Sequence, residues 1–165
     1  MPERAPSVSD VLSDLIAEQQ ALDEVVARLS AEQWALPTPS PRWSIADQIA
    51  HLTYFDGTAA LAVADEDAFN DSMGALLGAM TSDDPTVADD ATIGDLRRLP
   101  PEELLARWRS NREALASVAA ELADDARVAW YGPSMGAKSF LTARLMEVWA
   151  HGQDVIDALA EAGID

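Results

Sequence analysis

The spacing of apolar residues is the feature that most constrains the fold of this chain. Within residues 8–29 they recur at steps of three and four, the repeat of a helix with one buried face: Val11, Leu12, Leu15, Ile16, Leu22, Val25, Val26 and Leu29. The same repeat predicts three more long helices, over residues 44–65, 100–122 and 139–162. The alternation typical of strands appears only as a short extended piece at residues 127–131. We therefore predict an all-α fold, a four-helix bundle.

The connection between the second and third long helices is the longest in the chain. Residues 66–80 carry an apolar stripe of their own and are predicted to form a separate helix. The acidic stretch 81–99 contains Pro85 and Gly94 and is predicted to be mostly irregular. The expected organisation is a single bundle domain over residues 1–165 with a long, partly helical crossover at residues 66–99. A lid and a partner surface are both open as roles for this insertion.

The charge balance limits the partners that we expect. The chain has 11 Lys and Arg against 29 Asp and Glu, a formal net charge of −18. Such a surface repels phosphate backbones and anionic lipids, so neither nucleic acid nor a membrane is an expected partner. The chain also has no cysteine. Any bound metal therefore needs His, Asp or Glu ligands, and thiol chemistry needs a thiol from another molecule.

The chain lacks the usual signals for a membrane or for export. Its apolar runs are too short to span a bilayer, and no apolar core of a signal peptide follows the first residues. A cytoplasmic location is therefore the expectation.

The two histidines of the chain both lie in predicted helices. His51 is in the second long helix, whereas His151 follows Glu147 by four residues in the fourth, which places that pair on one helix face. If the two helices pack side by side, two imidazoles and one carboxylate converge. Three such ligands and one open coordination position describe a catalytic zinc site.

These three residues also have an ordinary structural explanation. A single helical histidine is more often packed or exposed than a ligand, and a Glu–His pair at this spacing is common. The neighbourhood favours a ligand role, because the fourth helix is apolar on much of its circumference and is predicted to be largely buried. A buried Glu147 without a partner would be costly. The residues alone leave a metal site and a hydrogen-bonded cluster as alternatives.

Two parts of the sequence resemble a known family. The run Trp43-Ser-Ile-Ala-Asp-Gln-Ile-Ala-His51-Leu is similar to the second-helix signature of the DinB-like superfamily. The runs Trp130-Tyr-Gly-Pro-Ser-Met and Ala143-Arg-Leu-Met-Glu-Val-Trp-Ala-His-Gly-Gln-Asp-Val155 resemble the N-terminal domain of the mycothiol-dependent maleylpyruvate isomerase family, and within it an actinobacterial metal-binding group. The likeness covers nearly the whole chain. It implies a divalent metal, in most members zinc, held by His51, Glu147 and His151.

The resemblance also implies a type of chemistry. The thiol of that family is mycothiol, which resembles a glutathione substitute, and a thiol bound to the metal would be deprotonated and able to attack an electrophilic carbon. The implied activity is a thiol-dependent transferase or isomerase acting on a small substrate. Members of this group usually continue into a second, smaller domain that contributes to the active site of the isomerases. Because this chain stops at Asp165, we expect that C-terminal domain to be absent.

Two aspartates are candidates for supporting the histidine ligands. Asp47 lies one turn before His51 and can orient its imidazole, although a cap at the start of the second helix explains it as well. Asp154 lies three residues after His151 and is the other candidate.

Arg144 and Tyr54 are the catalytic candidates. Arg144 lies one turn before Glu147 and can hold a substrate carboxylate, or it forms a salt bridge with an acidic neighbour. Tyr54 continues the His51 face and either lines the pocket or packs in the core. Trp130 and Tyr131 are expected at the rim of the pocket. The remaining tryptophans are assigned to the core: Trp34, Trp43, Trp108 and Trp149.

Several functions are compatible with this pattern. The first is a metal-dependent thiol transferase or isomerase. The alternatives are a non-catalytic module that binds a small ligand, a hydrolase that uses metal-bound water with a pKa of ~7, and a scaffold that keeps the metal for stability. Resemblance in fold does not choose among them. The expected partners are a small-molecule substrate or thiol, and a homodimer through the long helices is compatible with the sequence.

Overall fold

Serine caps start the first three helices of the chain. A computed structural model describes residues 4–165 of the chain. In three capping boxes a serine hydroxyl accepts a hydrogen bond from a backbone N–H three residues later, and that residue's side chain accepts one from the serine N–H. The serines and their helices are Ser7 for α1 (Val8–Val26), Ser30 for the short α2 (Ala31–Trp34) and Ser44 for α3 (Ile45–Ala64).

The crossover is more regular than predicted. The separate helix α4 (Glu66–Met80) is confirmed, but the prediction of a mostly irregular stretch at 81–99 is wrong. Helix α5 (Pro85–Ile93) and a 3₁₀ turn (Leu96–Arg98) occupy it. The Asp84 side chain caps α5 by accepting from the Thr86 N–H, and Pro85 stands in its first turn. Proline is favourable there because its missing N–H has no helical partner in any case, so it marks a helix start.

The C-terminal half supplies the other two long helices. Helix α6 (Pro101–Ala119) is followed by an antiparallel hairpin of β1 (Arg127–Val128) and β2 (Met135–Gly136), which confirms the short extended piece. Helix α7 (Ala137–Glu161) begins directly after β2 and ends before Gly163, whose φ of 71° is in the left-handed region that glycine adopts without strain.

The four long helices form the predicted bundle. Helix α3 packs against α6 and α7, and α1 packs against the same two helices. One contiguous core fills the space between them. Its fully buried large side chains come from all four helices and from the crossover: Leu15, Ile45, Ile49, Leu52, Phe69, Ile93, Leu104, Trp108, Leu115, Phe140 and Leu141.

A buried carboxylate connects all four long helices. Asp56 of α3 has no exposed surface. Its Oδ2 accepts hydrogen bonds from Gln19 Nε2 of α1 at 3.1 Å and from Trp108 Nε1 of α6 at 3.0 Å. Its Oδ1 pairs with Arg144 of α7, whose Nη2 lies 3.0 Å away. Polar groups buried in this way are held by their partners, so Asp56 fixes how the four helices meet.

The prediction that α7 is largely buried is wrong. Met146 is 64% exposed, Trp149 is 62% exposed and Ile156 is 43% exposed. Trp34 and Trp108 are in the core as predicted, but Trp149 is not. The apolar surface of α7 is wider than the two neighbouring helices cover. None of the helices in the described part of the chain is long and apolar enough to cross a membrane.

Candidate metal centre

The structure brings the three predicted ligands together between α3 and α7. His51 Nε2 lies 3.2 Å from Glu147 Oε2, and His151 Nε2 lies 3.1 Å from the same oxygen. One ligand atom from each residue is within 4.8 Å of the other two. The two imidazoles face each other with their ring centroids 4.2 Å apart. The helical spacing and the packing of α3 on α7 therefore place three metal-binding atoms at one point.

These separations suit a tetrahedral metal ion. Zinc binds imidazole nitrogen and carboxylate oxygen at roughly 2.0–2.2 Å, so two ligand atoms of one tetrahedral ion are about 3.3 Å apart. The distances from His51 Nε2 and His151 Nε2 to Glu147 Oε2, 3.2 and 3.1 Å, are close to that value. Nitrogen and oxygen ligands also suit zinc and other first-row divalent ions better than a soft monovalent ion. The residues present thus fit a divalent metal.

The electrostatics of the cluster favour the protonation states that a metal needs. Contacts with the ring nitrogens of His151 and His51 hold the pKa of Glu147 well below its usual range. Burial lowers the pKa of His51, and the hydrogen bond to Glu147 offsets part of that effect. An ionised carboxylate and a neutral imidazole are the forms that bind a metal.

The carboxylate of the cluster is partly open to solvent. The Glu147 side chain is 43% exposed, whereas those of His51 and His151 are 17% and 18% exposed. The prediction of a buried Glu147 is therefore wrong, although its two histidine partners are present. A site at the surface of the bundle is accessible to a small molecule.

Aromatic rings enclose the imidazoles. Trp43, assigned to the core from sequence, has its ring centroid 5.1 Å from that of His51 and stacks on His151 at 5.9 Å. Phe55, one turn after His51, packs on the same imidazole at 4.7 Å. Trp43 is held in place because its carbonyl accepts hydrogen bonds from both the backbone N–H and the hydroxyl of Thr38. Its position just before the cap of α3 was the available signal for this role.

Gln48 is a functional candidate that the sequence analysis did not identify. It lies on α3 one turn before His51 and is fully buried. Its Oε1 is 2.6 Å from His151 Nδ1, and its Nε2 donates to Asp154 and to Thr38. The signal in the sequence was an amide three residues before His51, in the run Ile45-Ala-Asp-Gln-Ile-Ala-His51.

The two aspartate candidates differ in what they contact. The Asp47 carboxylate accepts from the Ser44 N–H and hydroxyl and pairs with Arg97 Nε at 2.8 Å. No hydrogen bond joins Asp47 to His51 in the described residues, so the capping alternative accounts for it. Asp154 contacts Gln48 instead of His151 and reaches the histidine only through that amide.

The two catalytic candidates, Arg144 and Tyr54, contact residues other than the three ligands. Arg144 is buried and paired with Asp56, which is the salt bridge given above as its alternative role. Tyr54 packs edge-on against Phe55 and lines a surface cavity of about 390 Å³ between α3, α4, α5 and α6. Burial raises the pKa of Tyr54. In the part of the chain that the structure describes, no hydrogen bond connects Tyr54 to the three ligands.

The loop before α7 forms an aromatic cluster beside the site. Trp130 stacks on Phe69 of α4 with centroids 5.6 Å apart, and Tyr131 packs edge-on against Phe55. Burial raises the pKa of Tyr131 to about 12. Trp130 and Tyr131, the expected rim residues, are therefore connected to His51 through the ring of Phe55, which packs against both Tyr131 and His51.

The chain is a helical bundle of the DinB-like class, with two histidines and one glutamate together between α3 and α7. The family model of the mycothiol maleylpyruvate isomerase N-terminal domain matches residues 15–156. This chain belongs to that family, which confirms the resemblance seen in the sequence.

Relatives and solved structures agree with this assignment. Two uncharacterized proteins of Mycobacterium tuberculosis, from strains CDC 1551 and H37Rv, are each 45% identical to this chain over 148 residues. Each match covers 90% of this chain and 56% of the relative. The chain thus spans about half the length of the curated relatives it matches.

Two crystal structures of the mycothiol-dependent maleylpyruvate isomerase share the fold. The isomerase has a TM-score of 0.65 at 18% identity, and a mutant of it has a TM-score of 0.67 at 17% identity. Both matches cover 92% of this chain and 61% of the solved chain. At this level of identity the likeness establishes the fold alone.

Proposed function

We propose that this chain binds a divalent metal, most readily zinc, through His51, Glu147 and His151. The observation that carries the proposal is the convergence of three ligand atoms, with the Nε2 atoms of His51 and His151 at 3.2 and 3.1 Å from Glu147 Oε2. We further propose that the bound metal serves a thiol-dependent transferase or isomerase reaction on a small electrophilic substrate. The name of the solved isomerase, which shares the fold, suggests mycothiol as the thiol.

Such a metal would lower the pKa of a bound water to roughly 7 or keep a bound thiol deprotonated. The protein's own residues have simpler tasks. His51, Glu147 and His151 would supply three ligands to the metal, and the partly exposed Glu147 leaves the cluster accessible. Trp43 and Phe55 cover the imidazoles with apolar rings and limit water around them. Because this chain has no cysteine, none of its own 165 residues supplies the thiol.

Elemental analysis tests the metal site. Protein reconstituted with zinc and then dialysed should retain stoichiometric metal, and His51→Ala and Glu147→Gln should retain little. Glu161→Gln is the matched control, because Glu161 is an exposed glutamate near the end of the same helix. Wild-type protein that retains no zinc after reconstitution would refute the proposal.

Cobalt substitution separates the thiol-dependent function from its alternatives. Mycothiol added to the cobalt protein should change the visible spectrum and add a sulfur-to-metal band, whereas S-methylated mycothiol should not. A positive result leads to a turnover assay, for which maleylpyruvate is the first substrate to test. An unchanged spectrum with bound cobalt would remove the thiol function and leave the hydrolase and the ligand-binding module. Cleavage of an activated ester without thiol would then favour the hydrolase.

A further inference from the structure

Gln48 makes a direct contact with a metal ligand and is fully enclosed by protein. No part of its side chain is exposed, and its Oε1 lies 2.6 Å from His151 Nδ1. The two residues are 103 positions apart in the sequence and belong to different helices of the bundle. A buried amide needs partners for its carbonyl oxygen and for both of its N–H groups. The identity of these partners decides which way round the amide lies.

The partners of Gln48 Nε2 permit only one orientation of the amide. Nε2 is 3.0 Å from Asp154 Oδ2 and 2.9 Å from Thr38 Oγ1. A carboxylate only accepts hydrogen bonds. The Thr38 hydroxyl donates its proton to the Trp43 carbonyl at 2.9 Å, so it must accept from Gln48. If the amide were reversed, its oxygen would face two acceptors, Asp154 Oδ2 and Thr38 Oγ1, with no hydrogen between them. Nε2 must therefore face these two atoms, and Oε1 must face His151.

This orientation determines the tautomer of His151. The Gln48 carbonyl oxygen has no hydrogen to donate, so His151 Nδ1 must carry the proton of the hydrogen bond between them. In a neutral imidazole the other nitrogen, Nε2, then has a free lone pair. Nε2 is the atom that lies 3.1 Å from Glu147 Oε2, at the centre of the candidate metal site.

We propose that Gln48 is the positioning residue of this metal centre, holding His151 in the Nδ1–H tautomer that presents Nε2 to the metal. Asp154 and Thr38 contact Gln48 and fix the orientation of its amide, and Ser40 donates to the same Asp154 oxygen. The loop before α3 is thereby connected to a ligand on α7. This inference rests on the proposed metal binding.

Gln48→Leu tests the proposal in the full chain, with zinc affinity measured by competition with a chromophoric chelator. Leucine has a similar volume to glutamine, but it lacks the Oε1 atom that accepts the hydrogen bond from His151. Because loss of such a partner typically weakens metal affinity by about 10–100-fold, we expect a loss in that range. The matched control is Gln19→Leu, which removes another buried glutamine that donates to an aspartate but contacts no metal ligand. It should bind zinc as the wild type does.

Nitrogen-15 NMR of the zinc-loaded wild type provides a test without any variant. The chain has only two histidines, so the imidazole signals are few. We expect His151 to show a protected proton on Nδ1 and zinc on Nε2. Zinc on Nδ1, or an Nδ1 proton that exchanges as freely as that of an unbonded imidazole, would overturn the proposal, and so would wild-type affinity in Gln48→Leu. Wild-type protein without any zinc affinity would instead refute the proposed function.

Discussion

Replacing Arg144 with methionine should strongly destabilise the bundle. Arg144 and Asp56 form an ion pair in which the two side chains are 4% and 0% exposed. Methionine has a similar length and fills the space, but it leaves the Asp56 carboxylate in the core with two neutral donors, Gln19 and Trp108, and no counter-charge. Removing one partner of a buried ion pair typically costs about 3–5 kcal/mol.

This loss is a large part of the total stability, which for a single domain is about 5–15 kcal/mol. For a chain of this length each kcal/mol corresponds to about 2–4 °C, so the melting temperature of Arg144→Met should fall by about 6–20 °C. The assay is urea and thermal unfolding followed by far-ultraviolet circular dichroism. Metal should be removed with a chelator first, because a bound ligand raises the apparent stability of any variant.

Arg98→Met is the matched control for this experiment. Arg98 pairs with Asp95 at 3.0 Å, close to the distance in the buried pair, but the two side chains are 80% and 97% exposed. Exposed pairs contribute about 0–1 kcal/mol, so this variant should unfold almost as the wild type does. If Arg144→Met were as stable as Arg98→Met, the assignment of Arg144 to the structural core would be wrong. A normally stable Arg144→Met that bound an anionic substrate weakly would restore the substrate-binding role predicted from sequence.

Two further predictions concern other parts of the bundle. Asp23 accepts three hydrogen bonds of 2.7 Å, two from Arg109 and one from Arg112, and the bonds from Arg109 lower its pKa from 3.8. The ionised Asp23 therefore stabilises the fold fully above pH 3.8. This stabilisation is lost as the pH falls through the lower pKa that Asp23 has in the folded protein. The free energy of unfolding of Asp23→Asn should be about 1.5–3 kcal/mol lower than that of the wild type at pH 7. In urea titrations this difference should shrink below pH 3.8, and an unchanged difference would contradict the prediction. Trp149→Ala should change the free energy of unfolding by less than about 0.5 kcal/mol, because the ring is mostly exposed, whereas Trp108→Ala should cost about 3–5 kcal/mol. Equal losses in the two variants would argue against the exposed position of Trp149.

Local sequence signals were sufficient for most of the secondary structure. The start of the second long helix at residue 44 was predictable, because the capping box of Ser44 depends only on residues three positions apart. The same reasoning missed α5, because Pro85 and Gly94 were treated as helix breakers. Proline breaks a helix in its interior and favours one in its first turn, so only its position relative to Asp84 distinguishes the two cases.

The ligands of the candidate site were predictable because of their chemistry and spacing. Glu147 and His151 share a helix face whatever the rest of the fold does, and His51 is the one other histidine. Their supporting residues were not predictable in the same way. Asp47 and Gln48 are neighbours on α3. Asp47 contacts Ser44 and Arg97, whereas Gln48 contacts His151. Which of two adjacent polar residues faces a ligand depends on the rotation of α3 against α7.

The sequence by itself determined the four long helices, the bundle and the three metal-ligand candidates, because these follow from periodicity, capping and residue type within one or two helical turns. The tertiary structure decided the exposure of Trp149, the burial of Arg144 against Asp56 and the contact of Gln48 with His151. Each of these depends on partners that are 88 or 103 residues apart in the chain, or on the surface that the neighbouring helices leave uncovered. Local periodicity shows that a helix has an apolar face, but only packing determines how much of that face is covered and which polar groups meet inside it.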